Sequence, residues 1–180
     1  MRHLIVLPGN SQKNKAWGEL ILTEYAAQFD SAFMLEYDHW ESGEANINFT
    51  REEEKLCAHT ATLPAGTEIV LMAKSAGSLL AFLAIHHGAI TPNYCVFFGI
   101  PFDLAADNLF KDNWSPVDSF AIKAVAFHNL ADPTTSYEFT KSMLEVHAPR
   151  ITLIATNEAD HWYGDTVTYN PSITSLLQSK

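Results

Sequence analysis

Hydrophobic positions along the chain fall into two alternating kinds of run. Six short, mostly apolar blocks have the length of buried strands: Leu4–Leu7, Ala32–Tyr37, Ile69–Met72, Tyr94–Phe98, Ile122–Phe127 and Ile151–Ala155. Between them, apolar residues recur at helical spacing. Ala16, Trp17, Leu20, Ile21, Tyr25 and Phe29 mark a first helix, and Leu79, Leu80, Phe82, Leu83 and Ile85 mark a later one that runs to His87, where Gly88 can cap it. Thr50 with Glu53, and Thr135 with Glu138, have capping-box spacing and predict helices from Thr50 to about Thr62 and over Thr135–Val146. Asn170-Pro171 opens a last helix through Ile173, Leu176 and Leu177, with proline at its favoured first position. Continuous apolar strands, each separated by a helix, imply an α/β fold: a parallel sheet covered on both faces, built as one domain over residues 1–180.

Composition narrows the partners. The net charge is −10, and the 11 Lys and Arg residues are scattered without a basic stripe, which argues against nucleic acid and anionic membrane surfaces. No stretch approaches the roughly 18 apolar residues of a membrane span. The apolar run near Met1 is too short for a signal peptide, lacks a small-residue cleavage site and reads as a strand. Cys57 and Cys95 read as two buried thiols of a reducing compartment, so a soluble, cytoplasmic protein is expected. The acidic run Glu52-Glu53-Glu54 reads as a solvated first helical turn.

One stretch carries chemistry. In Glu68–Leu80 an apolar strand stops at Ser75, between small residues, and a helix without any Asp, Glu, Lys or Arg follows with no loop between. A strand that turns straight into a helix holds the serine hydroxyl on a tight bend, at a helix N-terminus that favours negative charge; this is the geometry of a nucleophile elbow. A serine nucleophile needs a base and a group to orient that base. Asp132 follows the fifth strand and His161 the sixth, so both lie at the sheet edge that carries Ser75. Asp103, after the fourth strand, is the rival acid, and His128, at the end of the fifth, competes with His161. Ser75 also suits a plain helix cap, and Asp132-Pro133 an ordinary turn.

The segments Leu7-Pro8-Gly9-Asn10, Ala73-Lys74-Ser75-Ala76-Gly77, Asn129-Leu130-Ala131-Asp132-Pro133 and Ala159-Asp160-His161, in that order, resemble a small, cap-poor α/β-hydrolase over nearly the whole chain. A finer resemblance is to the compact serine hydrolases like retinoblastoma-binding protein 9. The resemblance implies a three-layer αβα sandwich with strand order 2-1-3-4-5-6, without the two leading antiparallel strands of larger members. It implies an acyl-transfer hydrolase of esters, thioesters or amides, with Ser75, Asp132 and His161 catalytic and the backbone N–H groups of Asn10 and Ala76 as oxyanion hole. The family elbow begins with glycine, whereas this one begins with Ala73, a methyl group placed where the turn is crowded.

The Gly99–Phe120 segment, with Phe102, Leu104, Leu109, Phe110 and Trp114, reads as a small apolar lid beside a substrate pocket, and His39-Trp40 as another wall. The partner is then a small-molecule acyl substrate. Zinc-type spacings, a P-loop and a Gly-x-Gly-x-x-Gly site are all missing, so neither a metal nor an organic cofactor is expected. Two other classes stay open on sequence grounds. One is a binding protein that keeps the scaffold without catalysis, with Ala73 as its motive; the other is a flavodoxin-like nucleotide binder of the same strand order.

Overall fold

The strand Glu68–Lys74 lies inside the sheet, paired on both sides, and its side chains alternate between two hydrophobic cores. The computed structural model describes residues 1–111 and 113–178. Its strands are β1 (Arg2–Leu7), β2 (Ser31–Met34), β3 (Glu68–Lys74), β4 (Tyr94–Phe98), β5 (Lys123–Asn129) and β6 (Ile151–Thr156). They form one sheet of order β2-β1-β3-β4-β5-β6 in which every neighbouring pair is parallel. The longer helices are α1 (Asn14–Tyr25), α3 (Phe49–Thr60), α4 (Ala76–His86), α7 (Tyr137–His147) and α8 (Thr166–Gln178). The short ones are α2 (His39–Ser42), α5 (Phe102–Ala105) and α6 (Ser115–Asp118).

Because strand side chains point alternately to opposite faces, the sheet separates two cores. Ile5, Leu7, Leu71 and Ala73 face α3, α4 and α7, whereas Leu4, Val6, Val70 and Met72 meet Trp17 and Ile21 of α1 and Ile173 and Leu177 of α8. This is the expected three-layer sandwich, the minimal α/β-hydrolase fold. Most of α4 is buried, which accounts for its lack of charge.

Several boundaries differ from the sequence expectation, each for a local reason. Asn48, with extended backbone, caps α3 through a bond from Arg51 N at 3.2 Å, so Thr50 lies inside the helix. Ser136 caps α7 by accepting from Phe139 N at 3.3 Å, in place of Thr135. The last helix begins at Thr166, where the Asp165 side chain accepts from Thr168 N and Oγ1, and Pro171 sits within it. Cys57 is exposed on α3, and only Cys95 is buried. Glu52 is inaccessible (0 %), because its Oε1 turns inward to accept from Asp38 N at 2.8 Å. No helix among the described residues is long and apolar enough to cross a membrane.

Where α4 leaves β3, its first turn presses on the end of β1. A Cβ on Gly77 would lie 2.2 Å from the Leu7 carbonyl oxygen and 2.5 Å from that of Pro8. Backbone cannot yield there, so Gly77→Ala should lose about 1–3 kcal/mol in denaturant unfolding. Gly18→Ala, whose new methyl would meet the mobile end of Met34, should lose less in the same assay.

Candidate active site

Ser75 occupies a backbone conformation that side chains resist, with φ 52° and ψ −123°. Such a residue costs about 1–3 kcal/mol and persists only where its surroundings over-determine it. Here its N–H donates to Phe98 O of β4 at 2.9 Å, and its carbonyl accepts from Ser78 N at 2.9 Å. The Ala73 methyl is fully buried in the core on the α4 side. The bend therefore forms with alanine where the family pattern has glycine.

The loop after β1 is gripped from the 37–47 segment. Tyr37 Oη donates to Pro8 O at 2.7 Å, while His39 Nε2 and Trp40 Nε1 both reach Asn10 O, at 2.6 and 2.8 Å. A carbonyl only accepts, so His39 carries its proton on Nε2. The Asn10 side chain adds a bond from Ile47 N at 2.8 Å. The Asn10 carbonyl and side chain are thus tied back, whereas the N–H groups of Asn10 and Ala76 donate to no backbone carbonyl among the described residues. His39 and Trp40, expected as pocket walls, hold the loop and also line a separate cavity of about 340 Å³ with Asn10, Ser11 and Glu44.

Asp132 and His161 meet. Asp132 Oδ2 lies 2.6 Å from His161 Nδ1 and accepts from Tyr163 Oη at 2.6 Å, and Oδ1 accepts from Thr134 N at 2.8 Å. Burial of this carboxyl would raise its pKa, but the bonds from His161, Tyr163 and Thr134 outweigh it and hold the group below the ordinary value. His161 Nε2 is buried and has no partner among the described residues. The loop carrying it folds back across the sheet edge: Tyr163 packs on Phe98, and the Trp162 ring lies 5.8 Å from Lys74 Nζ, beside Ser75.

Tyr163 was not singled out from the sequence. Its φ of 56° and full burial mark a residue held in place by its surroundings, and neither property shows in a string of letters. The rival acid Asp103 is engaged elsewhere, accepting from Thr135 Oγ1 at 2.7 Å and Ser136 N at 3.0 Å at the start of α7. His128 is buried and bonds Thr135 O at 3.2 Å; burial pushes its pKa below the ordinary value.

Beside Ser75, Ala76 and Asn10 opens a cavity of about 570 Å³, walled by Ile47, Phe49, Leu79, Leu104 and Leu109, with Asn46 as a further polar group. Among the described residues no lining side chain is charged. Phe102 and Trp114, also expected there, are not part of this wall. Phe102 is fully buried against Phe82, and Trp114 stacks on His147. No cluster of three or more metal-binding side chains occurs among the described residues.

No family model matches the sequence, and neither does any curated protein. The fold does match solved structures along almost its whole length. One is Est1E from Butyrivibrio proteoclasticus, solved with ferulic acid bound: TM-score 0.74, 12% identity, 99% of this chain and 89% of that one. Another is XC6422 from Xanthomonas campestris, described as an α/β serine hydrolase without lid: TM-score 0.72, 12% identity, 98% and 81%. A third is acyl-protein thioesterase 2 from Zea mays: TM-score 0.66, 12% identity, 98% and 94%. At such identities the likeness is one of fold. It carries the broad α/β-hydrolase resemblance and not the finer one to retinoblastoma-binding protein 9.

Tyr163→Phe removes one donor from Asp132, and should cost about 1–2 kcal/mol at neutral pH. A depressed carboxylate stabilises above its unfolded pKa and stops doing so as pH falls through its folded one. The difference between wild type and variant should therefore fade below about pH 4, in unfolding curves taken across pH. Carboxyl ¹³C NMR should show Asp132 titrating higher in the variant.

Proposed function

We propose that this protein is a serine hydrolase cleaving an ester, thioester or amide through an acyl-enzyme on Ser75. The observation that carries the reading is the His161 ring. Its Nδ1 is fixed on a buried carboxylate, and its Nε2 is enclosed without a partner among the described residues, on a loop that returns to the elbow. An imidazole so held is a base waiting for a proton. The names of the structural neighbours, among them a thioesterase and a serine hydrolase, agree with it.

In this mechanism Ser75 Oγ attacks the acyl carbonyl as His161 Nε2 takes the hydroxyl proton. The N–H groups of Asn10 and Ala76 receive the oxyanion, a type of contact worth about 3–4 kcal/mol per donor. His161 returns the proton to the leaving oxygen, sulfur or nitrogen, and the acyl group stays on Ser75. Water then attacks, giving its proton to His161, and the acid leaves as Ser75 Oγ is reprotonated. Asp132 holds the tautomer and stabilises the imidazolium, helped by Tyr163.

The cavity beside Ser75 suits an uncharged, apolar acyl chain of moderate length. Ser75→Ala should abolish turnover and fluorophosphonate labelling while the fold persists, and Asp132→Asn should lower kcat by about 10⁴. Full labelling of the Ser75→Ala variant would sink the reading. An unreactive wild-type Ser75 would instead favour a non-catalytic binding protein. With p-nitrophenyl esters, each added CH₂ should raise kcat/KM roughly fourfold, about 0.8 kcal/mol of burial, until the cavity is full. A flat chain-length profile would show that the acyl group binds elsewhere.

A further inference from the structure

Lys74 immediately precedes Ser75, yet no step above uses it. It is almost inaccessible (2 %) and projects to the face opposite the Ser75 cavity, among the side chains of α1 and the loop after β6. A buried ammonium without a carboxylate contact is unusual. Among the described residues its one hydrogen-bond acceptor is Asn14 Oδ1, at 2.5 Å. Its other neighbours are aromatic faces: Nζ lies 5.9 Å from the centre of the Trp17 ring and 5.8 Å from that of Trp162, within cation–π range.

These contacts reach both loops that complete the site. Asn14 donates from Nδ2 to Ser11 O at 3.1 Å and from its backbone N to the same carbonyl at 2.8 Å, closing the Ser11–Asn14 turn that directly follows Gly9 and Asn10. Trp162 is the residue after His161, and Trp17 Nε1 donates to Tyr163 O at 3.0 Å. One cation thus joins the β3 strand end, the loop after β1 and the loop after β6.

We propose that Lys74 is a positioning residue: its ammonium pins the Asn10 and His161 loops to the elbow strand, and the charged form is the one that aligns them. This rests on the reading of Ser75, His161 and Asn10 given above. The charged groups facing it are Asp132 after β5 and Asp160 after β6. α1 presents Asn14 and the Trp17 ring. Burial pulls the ammonium down to about 8, against the pull of Asp132 and Asp160. As pH rises through that value the charge is lost, and with it the attraction to both rings and the charge-assisted bond to Asn14.

Two variants, compared with wild type, test this in the full chain. In wild type kcat should decline on the alkaline side with a midpoint near pH 8. Lys74→Met should lower kcat on the order of ten- to a hundredfold with KM little changed, and should lack that limb. Lys74→Arg, whose charge persists, should recover part of kcat and keep it above pH 9. Tryptophan fluorescence should show a step near pH 8 in wild type that is missing in Lys74→Met. Thermal unfolding keeps the outcome interpretable, because it shows whether Lys74→Met still unfolds cooperatively and so separates lost alignment from a lost fold. Unchanged kcat in Lys74→Met would overturn the proposal, as would a loss of stability and activity together with the alkaline limb intact. If wild type hydrolyses nothing and Ser75 resists labelling, the functional reading fails by itself. Fluorescence, with amide exchange of residues 9–14 and 160–164, then decides on Lys74: no step and unchanged exchange in Lys74→Met overturn it.

Discussion

The site depends on how closely the first turn of α4 can approach the end of β1. At Gly77 two carbonyl oxygens, of Leu7 and Pro8, stand where a side chain would begin. That contact sets the distance between two strand ends, and so between the Ala76 and Asn10 amides. A gap opened by one methyl group would spread these two donors apart whatever else stayed in place. The strain at Ser75 belongs to the same constraint, because the chain must reverse from strand to helix without a loop to absorb the change.

The loops around the elbow are held mainly by aromatic side chains with a polar tip. Tyr37, His39 and Trp40 donate to carbonyls of the loop after β1, Trp17 to the loop after β6, and Tyr163 to Asp132. Such a side chain buries apolar area while its one polar atom makes a directional bond, so it anchors irregular backbone without bringing charge inside. This suits a sheet edge where loops must be rigid yet have no ladder to join. It also separates roles: Phe49 and aliphatic side chains wall the cavity beside Ser75, whereas these polar-tipped rings grip the loops.

Much of the fold was legible because period and length carry it. Unbroken apolar blocks such as Tyr94–Phe98 need cover on both faces, and that requirement alone implies layers. The bend at Ser75 and the loop positions of Asp132 and His161 followed from the same alternation. Rings proved harder. Trp40 and Phe102 lie in helices of four residues, and Trp114 caps another. Such runs are too short for periodicity to say which way a side chain turns, and all three pack inward or onto backbone. Caps were displaced by two residues or one, at Asn48 and Ser136, because serine, threonine and asparagine lie close together there and only the backbone angle chooses among them. Glu52 defied its setting in an acidic run, since its partner, the Asp38 amide, lies on a different element.

The bond from Trp17 to the Tyr163 carbonyl spans 146 residues, and it has a bearing on how the molecule is made. A chain emerging from its N-terminus has the turn at Asn10 and the bend at Ser75 available long before residue 161 exists. During that interval the rings of α1 face a sheet lacking its last strands, and Lys74 has no Trp162 to cover it. Contacts of such long range form late, because closing them must wait for the chain between to be ordered. The proposed site at this edge is therefore completed only when β6 and the loop after it have joined the sheet.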